Sequence, residues 1–291
     1  MSSFDSKDYE LMIGELIHDT FYVSLSTRGR IKGIRQFSEI LVRKILNIGS
    51  SHYVTLGNVI HKKEFKELTE SKQKYLKEAI EKIRVLGNDG THTQHTDSFS
   101  SSELEKVKDG FFELYAYLFI DYFLKFPMTL LSPAVVMFNF SLLPPIIRYK
   151  TLQYLYNEEA NLQIANRYCL AIIKTFDKNT AFEWLESNKE KLLSIPYPTE
   201  EEAHEYYVKI GVPVSSTHFQ VSIQLWKYNN VYDLLVEKIE DSRTALNESG
   251  KMYSNFEEAK VYWLNERVFS EIQEVDELNN LIDFVYLGRE I

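Results

Sequence analysis

Arg84, Asn88 and His92 recur at four-residue intervals in "IRVLGNDGTH", residues 83–92. Four residues of α-helix turn through about 400°, so the three side chains would drift by only about 40° per step and share one face. Gly87 and Gly90 remove side chains beside that face, which lets another backbone or a ligand come close. The residue types suit a phosphodiester. A guanidinium binds non-bridging oxygens, an amide orients, and an imidazole moves a proton near neutral pH. Together they would serve metal-independent cleavage of RNA, in which the RNA's own 2′-hydroxyl attacks. The same stretch has a plainer reading: a helix ending near Leu86 with glycine in a left-handed cap, Asn88 and Asp89 turning the chain, and His92 in a loop.

Two further sets of residues bear on chemistry. Arg28, Arg30, Lys32, Arg35, Arg43 and Lys44 cluster around a single acid, Glu39. They read either as a basic face that steers RNA or as an ordinary solvated helix face. Arg35 and Glu39, four residues apart, can form a structural pair that braces a bundle. His92, His95 and Asp97 in "HTQHTD" offer two imidazoles and a carboxylate, but His-x2-His without a further ligand is weak, so no metal and no cofactor is expected. His18, His52, His61, His204 and His218 are isolated. The sole cysteine, Cys169, lies in an apolar helical context and reads as a small core residue. There is no phosphate-binding loop, dinucleotide fingerprint or nucleophile elbow.

The elements that would position these groups are helices. Only 11 glycines and 7 prolines punctuate 291 residues, and apolar residues recur at three- and four-residue spacing. The pattern predicts a helix and a bend over 8–26, then an amphipathic helix from Arg28 to Asn47. A lysine-rich helix follows from Leu68 to Leu86, and then a polar connection. Ser100 and Glu103 have capping-box spacing before a helix over 102–125. The aromatic load of that helix is too wide for one stripe, which implies burial on most sides or a subunit interface. Three helices are expected across 145–195, a capped one after Thr199 and Glu202, and two longer patterns at about 217–247 and 254–286. Trp184, Trp226 and Trp263 fall on core positions.

Charge divides the chain. Residues through Lys125 hold 18 basic and 18 acidic groups, while the rest holds 15 and 24 and carries the whole net charge of −9. A general nucleic-acid-binding protein is more often basic throughout. Phe126–Ile147 is uncharged over 22 positions, but Pro127, Pro133, Pro144 and Pro145 break it repeatedly, so it reads as a buried linker and not a membrane span. The expected architecture is mainly α, with one helical domain over 1–126 and an acidic helical domain over 127–291. "MSSFDSKDYE" has no signal-peptide pattern, which makes the cytoplasm the expected compartment.

The Arg-x3-Glu helix ("RQFSE", Arg35 to Glu39), the lysine-rich helix ending in "IR-x-x-GN-x-x-x-H" and the aromatic helix after it resemble the HEPN superfamily. More narrowly they resemble the HEPN-like domain often fused to restriction and other anti-phage proteins, over about residues 25–125. That resemblance implies a helical bundle that dimerises, with Arg84 and His92 from each protomer meeting to cleave RNA without metal and Asn88 as the polar residue between them. Seven residues separate Arg84 from His92, where the catalytic form usually has four to six. The function expected is metal-independent RNA cleavage in an anti-phage defence or toxin setting, with the acidic domain binding a protein partner. The alternative is a non-catalytic RNA- or protein-binding helical scaffold module of a defence complex.

Overall fold

The computed structural model describes residues 3–91, 96–130, 132–199, 201, 228–242 and 256–290. The chain is mainly α: among these residues there are thirteen α-helices and no strand. It divides into two compact units. One comprises 1–126, 133–151 and 255–291, the other 127–132 and 152–254. This differs from a single cut at 126, because the chain returns twice to the first unit.

In the first unit, α1 (Glu10–Ile17) runs into a single π-type turn, His18–Tyr22. Helix α2 (Thr27–Ile45) starts where the Ser26 hydroxyl accepts from the Gly29 N–H, satisfying one of the free donors of a first turn. Ile31, Ile34, Phe37, Ser38 and Leu41 form its buried stripe, and Asn47, at φ 52°, turns the chain out of it. After a short α3 (Lys63–Lys66) come α4 (Glu70–Thr91) and α5 (Ser101–Lys125). Helix α5 opens with a complete capping box between Ser100 and Glu103.

Helices α2, α4 and α5 pack on one another as the central bundle. Two further helices, α6 (Ala134–Ser141) and α13 (Gln273–Val285), also join α5 in this unit. The wide aromatic face of α5 is thereby buried almost all round, Phe111, Tyr115, Tyr117 and Phe119 being each at most 2% exposed. Gly110 lets α5 lie close against α4. A Cβ there would stand 2.7 Å from the Ala79 carbonyl oxygen and 2.9 Å from Lys82 Cβ.

The uncharged segment after Phe126 is more than a linker, since α6 forms within it and packs into the first unit. No helix among the described residues is long and apolar enough to cross a membrane. The pattern over 254–286 is two helices, α12 (Phe256–Glu266) and α13, with Arg267–Ile272 between them. That break is held from outside. The Asn139 side chain donates to the Val268 carbonyl at 2.7 Å and accepts from the Val268 N–H at 3.0 Å.

Helix α7 (Pro145–Glu158) gives its first half to one unit and its second half to the other. The second unit continues with α8 (Leu162–Thr175), α9 (Lys178–Ser187), α10 (Lys189–Ser194) and α11 (Val231–Glu240). Tyr156, Tyr168 and Trp184 pack edge-on or tilted at its centre. Cys169 is fully buried on α8, and that burial pushes its thiol up to about 12. Such a thiol carries almost no thiolate near neutrality. Trp226 and the capping box expected at Thr199 and Glu202 lie wholly or partly outside the described residues.

Candidate functional site on helix α4

Helix α4 does not stop at Leu86. It continues through Gly87, Asn88, Asp89 and Gly90 to Thr91, and among the described residues Gly288 is the glycine with positive φ. The left-handed cap at Gly87 is therefore absent, and Arg84 and Asn88 share a helical face. Helix propensity alone disfavours this extension, so its support is tertiary. Arg28 on α2 donates to the carbonyl oxygens of Asp89 at 3.2 Å and of Asp97 at 2.9 Å. Its guanidinium also lies 4.9 Å from the Phe99 ring centroid. A cation at the carboxyl end of a helix meets the negative end of the macrodipole.

The space beside Gly87 is occupied by the protein itself. A Cβ there would overlap Arg35 Cδ and stand 3.0 Å from its Cβ and Cγ, so the Arg35 stem, and not a ligand, uses the gap. At Gly90 a Cβ would meet only ordinary contacts, the nearest being Ile31 Cγ2 at 3.6 Å.

Arg84 sits on the solvent side of α4, away from the buried stripe of Leu76, Ala79, Ile80 and Ile83. Its Nη2 donates to Glu81 Oε2 at 2.7 Å and its Nε to Glu81 Oε1 at 3.1 Å. Hydrogen bonding to that carboxylate raises the guanidinium above its ordinary pKa. Glu81 thus holds the fork that a phosphate would take. The pair is one turn apart and about one-third exposed on both sides, a setting worth only about 0.2–0.5 kcal/mol, so an incoming phosphodiester can displace it. Asn88, partly exposed, is the next polar group along this face. His92 and His95 lie outside the described residues. Among the described ones no group of three His, Cys, Asp or Glu is placed to hold a metal ion.

The six basic residues of α2 do not form one face. Counted from Arg28, Lys32, Arg35 and Arg43 fall within about 60°, whereas Arg30 and Lys44 point about 160–200° away. Most of them are also engaged within the bundle. Arg28 binds the end of α4, and Arg35 crosses Gly87 and reaches Glu39 with Nη2 at 3.7 Å from Oε1. Arg43 closes the loop after α2 by donating to the Gly49 and His52 carbonyls at 3.0 and 2.7 Å. Lys44 lies 5.4 Å from the ring centroids of both Phe4 and Phe284, and its burial lowers its pKa. Lys32, exposed, and Arg30, partly exposed, remain outside these contacts.

Two arrangements escaped the sequence. The first is an ion quartet across α4, α5 and α7. Lys82 Nζ lies 2.7 Å from Asp109 and 2.6 Å from Glu113, and Lys150 Nζ lies 2.5 and 3.3 Å from the same two carboxylates. The second is an open groove of about 590 Å³ along α4, to which Lys74, Lys77 and Lys106 contribute. The i, i+3 spacing of Lys74 and Lys77 was visible, but Lys106 comes from another helix and only packing brings it there. Comparison with protein-family models, with curated proteins and with solved structures finds no match to this chain.

Proposed function

We propose that this protein is a metal-independent endoribonuclease of the HEPN kind, acting as a homodimer in an anti-phage defence or toxin setting in the cytoplasm. Arg84 binds the non-bridging oxygens of the scissile phosphate, and Asn88 orients it. His92 takes the proton of the RNA 2′-hydroxyl, whose oxygen attacks phosphorus and expels the 5′-oxygen. The products are a 2′,3′-cyclic phosphate and, once the leaving oxygen is protonated, a 5′-hydroxyl. The observation that carries this reading is the continuation of α4 through Gly87 and Gly90, which gives Arg84 and Asn88 a common solvent-facing side.

The second reading is a non-catalytic RNA- or protein-binding scaffold, and one observation favours it: Arg84 already has a carboxylate partner in Glu81. Incubating a mixed RNA pool with purified protein in EDTA separates the two. The nuclease reading expects cutting that leaves 2′,3′-cyclic ends and is lost, by a factor of about 100 or more, in His92→Ala and Arg84→Ala. Cutting that persists in His92→Ala moves the site elsewhere. Absence of cutting with retained RNA or protein binding supports the scaffold.

A further inference from the structure

We infer that the groove along α4 holds the backbone of a single RNA strand and leads it to Arg84. The inference rests on the RNA reading above and adds to it the path of the strand. Four lysines line the groove, Lys74, Lys77, Lys82 and Lys106, together with Glu78 and Glu81. Two of these charges are already met: Lys82 by Asp109 and Glu113, and Glu81 by Arg84. Lys74, Lys77 and Lys106 form no ion pair among the described residues, which leaves three cations against Glu78, and against Glu78 and Glu81 once a phosphate takes Arg84.

A chain with a net charge of −9 thus keeps a locally positive channel, and a channel of that sign concentrates a polyanion. Val85, 48% exposed, adds an apolar contact for a ribose or base face. From Lys74 to Asn88 the helix advances about 21 Å, so lysines at one end and the Arg84–Asn88 face at the other lie along one line. A groove of about 590 Å³ is of small-ligand size. The α2 cations, the other claimant to this role, are largely engaged within the bundle.

The test uses the full chain and a fluorescently labelled, mixed-sequence 2′-O-methyl single strand, which cannot be cut because its attacking hydroxyl is blocked. Anisotropy titrations compare wild type, a Lys74→Glu/Lys77→Glu/Lys106→Glu variant, the milder triple Lys→Gln variant at the same positions, and Arg30→Glu/Lys32→Glu as control. The groove assignment expects Kd to rise at least tenfold in both groove variants and by less than about twofold in the control. The slope of log K against log salt should fall by about 2, near 0.7 per lost phosphate contact on a single strand. Circular dichroism melts establish that the variants are folded, and the Gln variant stands in if charge reversal unfolds the chain. Wild-type binding with unaffected groove variants overturns the groove alone, as does a changed oligomeric state at unchanged affinity. Wild type that neither binds nor cuts RNA overturns the RNA reading, and this inference with it.

Discussion

Gly87 and Gly90 look alike in the sequence and differ in what surrounds them. The Arg35 stem lies where a Gly87 side chain would go, while a Gly90 side chain would meet only ordinary van der Waals contacts. Gly87→Ala should therefore cost about 1–3 kcal/mol through overpacking, with much of the loss recovered when Arg35 is also shortened to Ala. Gly90→Ala should stabilise by up to about 1 kcal/mol, since alanine loses less backbone entropy in a helix. Urea denaturation of the variants reads both signs. A second prediction concerns Glu81. Glu81→Gln removes the carboxylate that occupies Arg84 and should leave stability within about 0.5 kcal/mol. In an RNA-binding protein it should raise affinity by up to about twofold, because the displaced pair is worth only about 0.2–0.5 kcal/mol. Affinity that stays level or falls would mean that Arg84 does not meet the phosphate.

Among the elements, α4, α5 and α7 are tied by the quartet of Lys82, Asp109, Glu113 and Lys150. Lys150 is the most deeply placed, with its side chain 7% exposed. Burial alone would raise the Asp109 carboxyl, but the hydrogen bonds from Lys150 and Lys82 hold it below its ordinary range. Burial likewise opposes the Lys82 ammonium, and the two carboxylates outweigh it and raise its pKa. A depressed carboxyl contributes stability that is complete above its unfolded pKa, about 3.9, and lost as pH falls through the lower folded value. A raised lysine contributes stability complete below about 10.4 and lost as pH rises through the higher folded value. The quartet should thus give a plateau between about pH 4 and pH 10 with losses on both sides. Lys150→Met should cost about 2–3 kcal/mol at pH 7, less than the 3–5 typical of a fully buried pair because Asp109 is half exposed. In that variant the acid limb of the melting-temperature profile should flatten as well. A variant with wild-type stability and an unchanged limb would show that the quartet adds nothing.

For the whole molecule, the first unit draws on three stretches of chain. Phe112 stacks on Phe256 with ring centroids 5.9 Å apart, Phe123 meets Phe140 at 4.8 Å, and the Tyr122 hydroxyl donates to the Glu274 carbonyl at 2.8 Å. Arg289, its side chain 3% exposed, places its guanidinium 4.4 and 4.3 Å from the Phe21 and Phe256 ring centroids. A fragment of residues 1–126 loses all of these partners and exposes the aromatic side of α5. Size-exclusion chromatography and thermal melting should find it aggregated or markedly less stable than the full chain. A monodisperse fragment with the full chain's melting temperature would make 1–126 a domain in its own right.

The sequence by itself determined the helical class, the capping box at Ser100 and the breadth of the α5 aromatic face. These are local matters of periodicity, propensity and side-chain hydrogen bonding within a few residues. Only the tertiary structure decided that α4 runs past Gly87, because the groups that support it, Arg28 and Arg35, come from a helix more than fifty positions earlier. The same holds for the fate of the α2 cations and for the break at Arg267–Ile272, which Asn139 holds from over a hundred residues away. Long-range partners outweighed local preference at each of these places, and a linear pattern does not carry them.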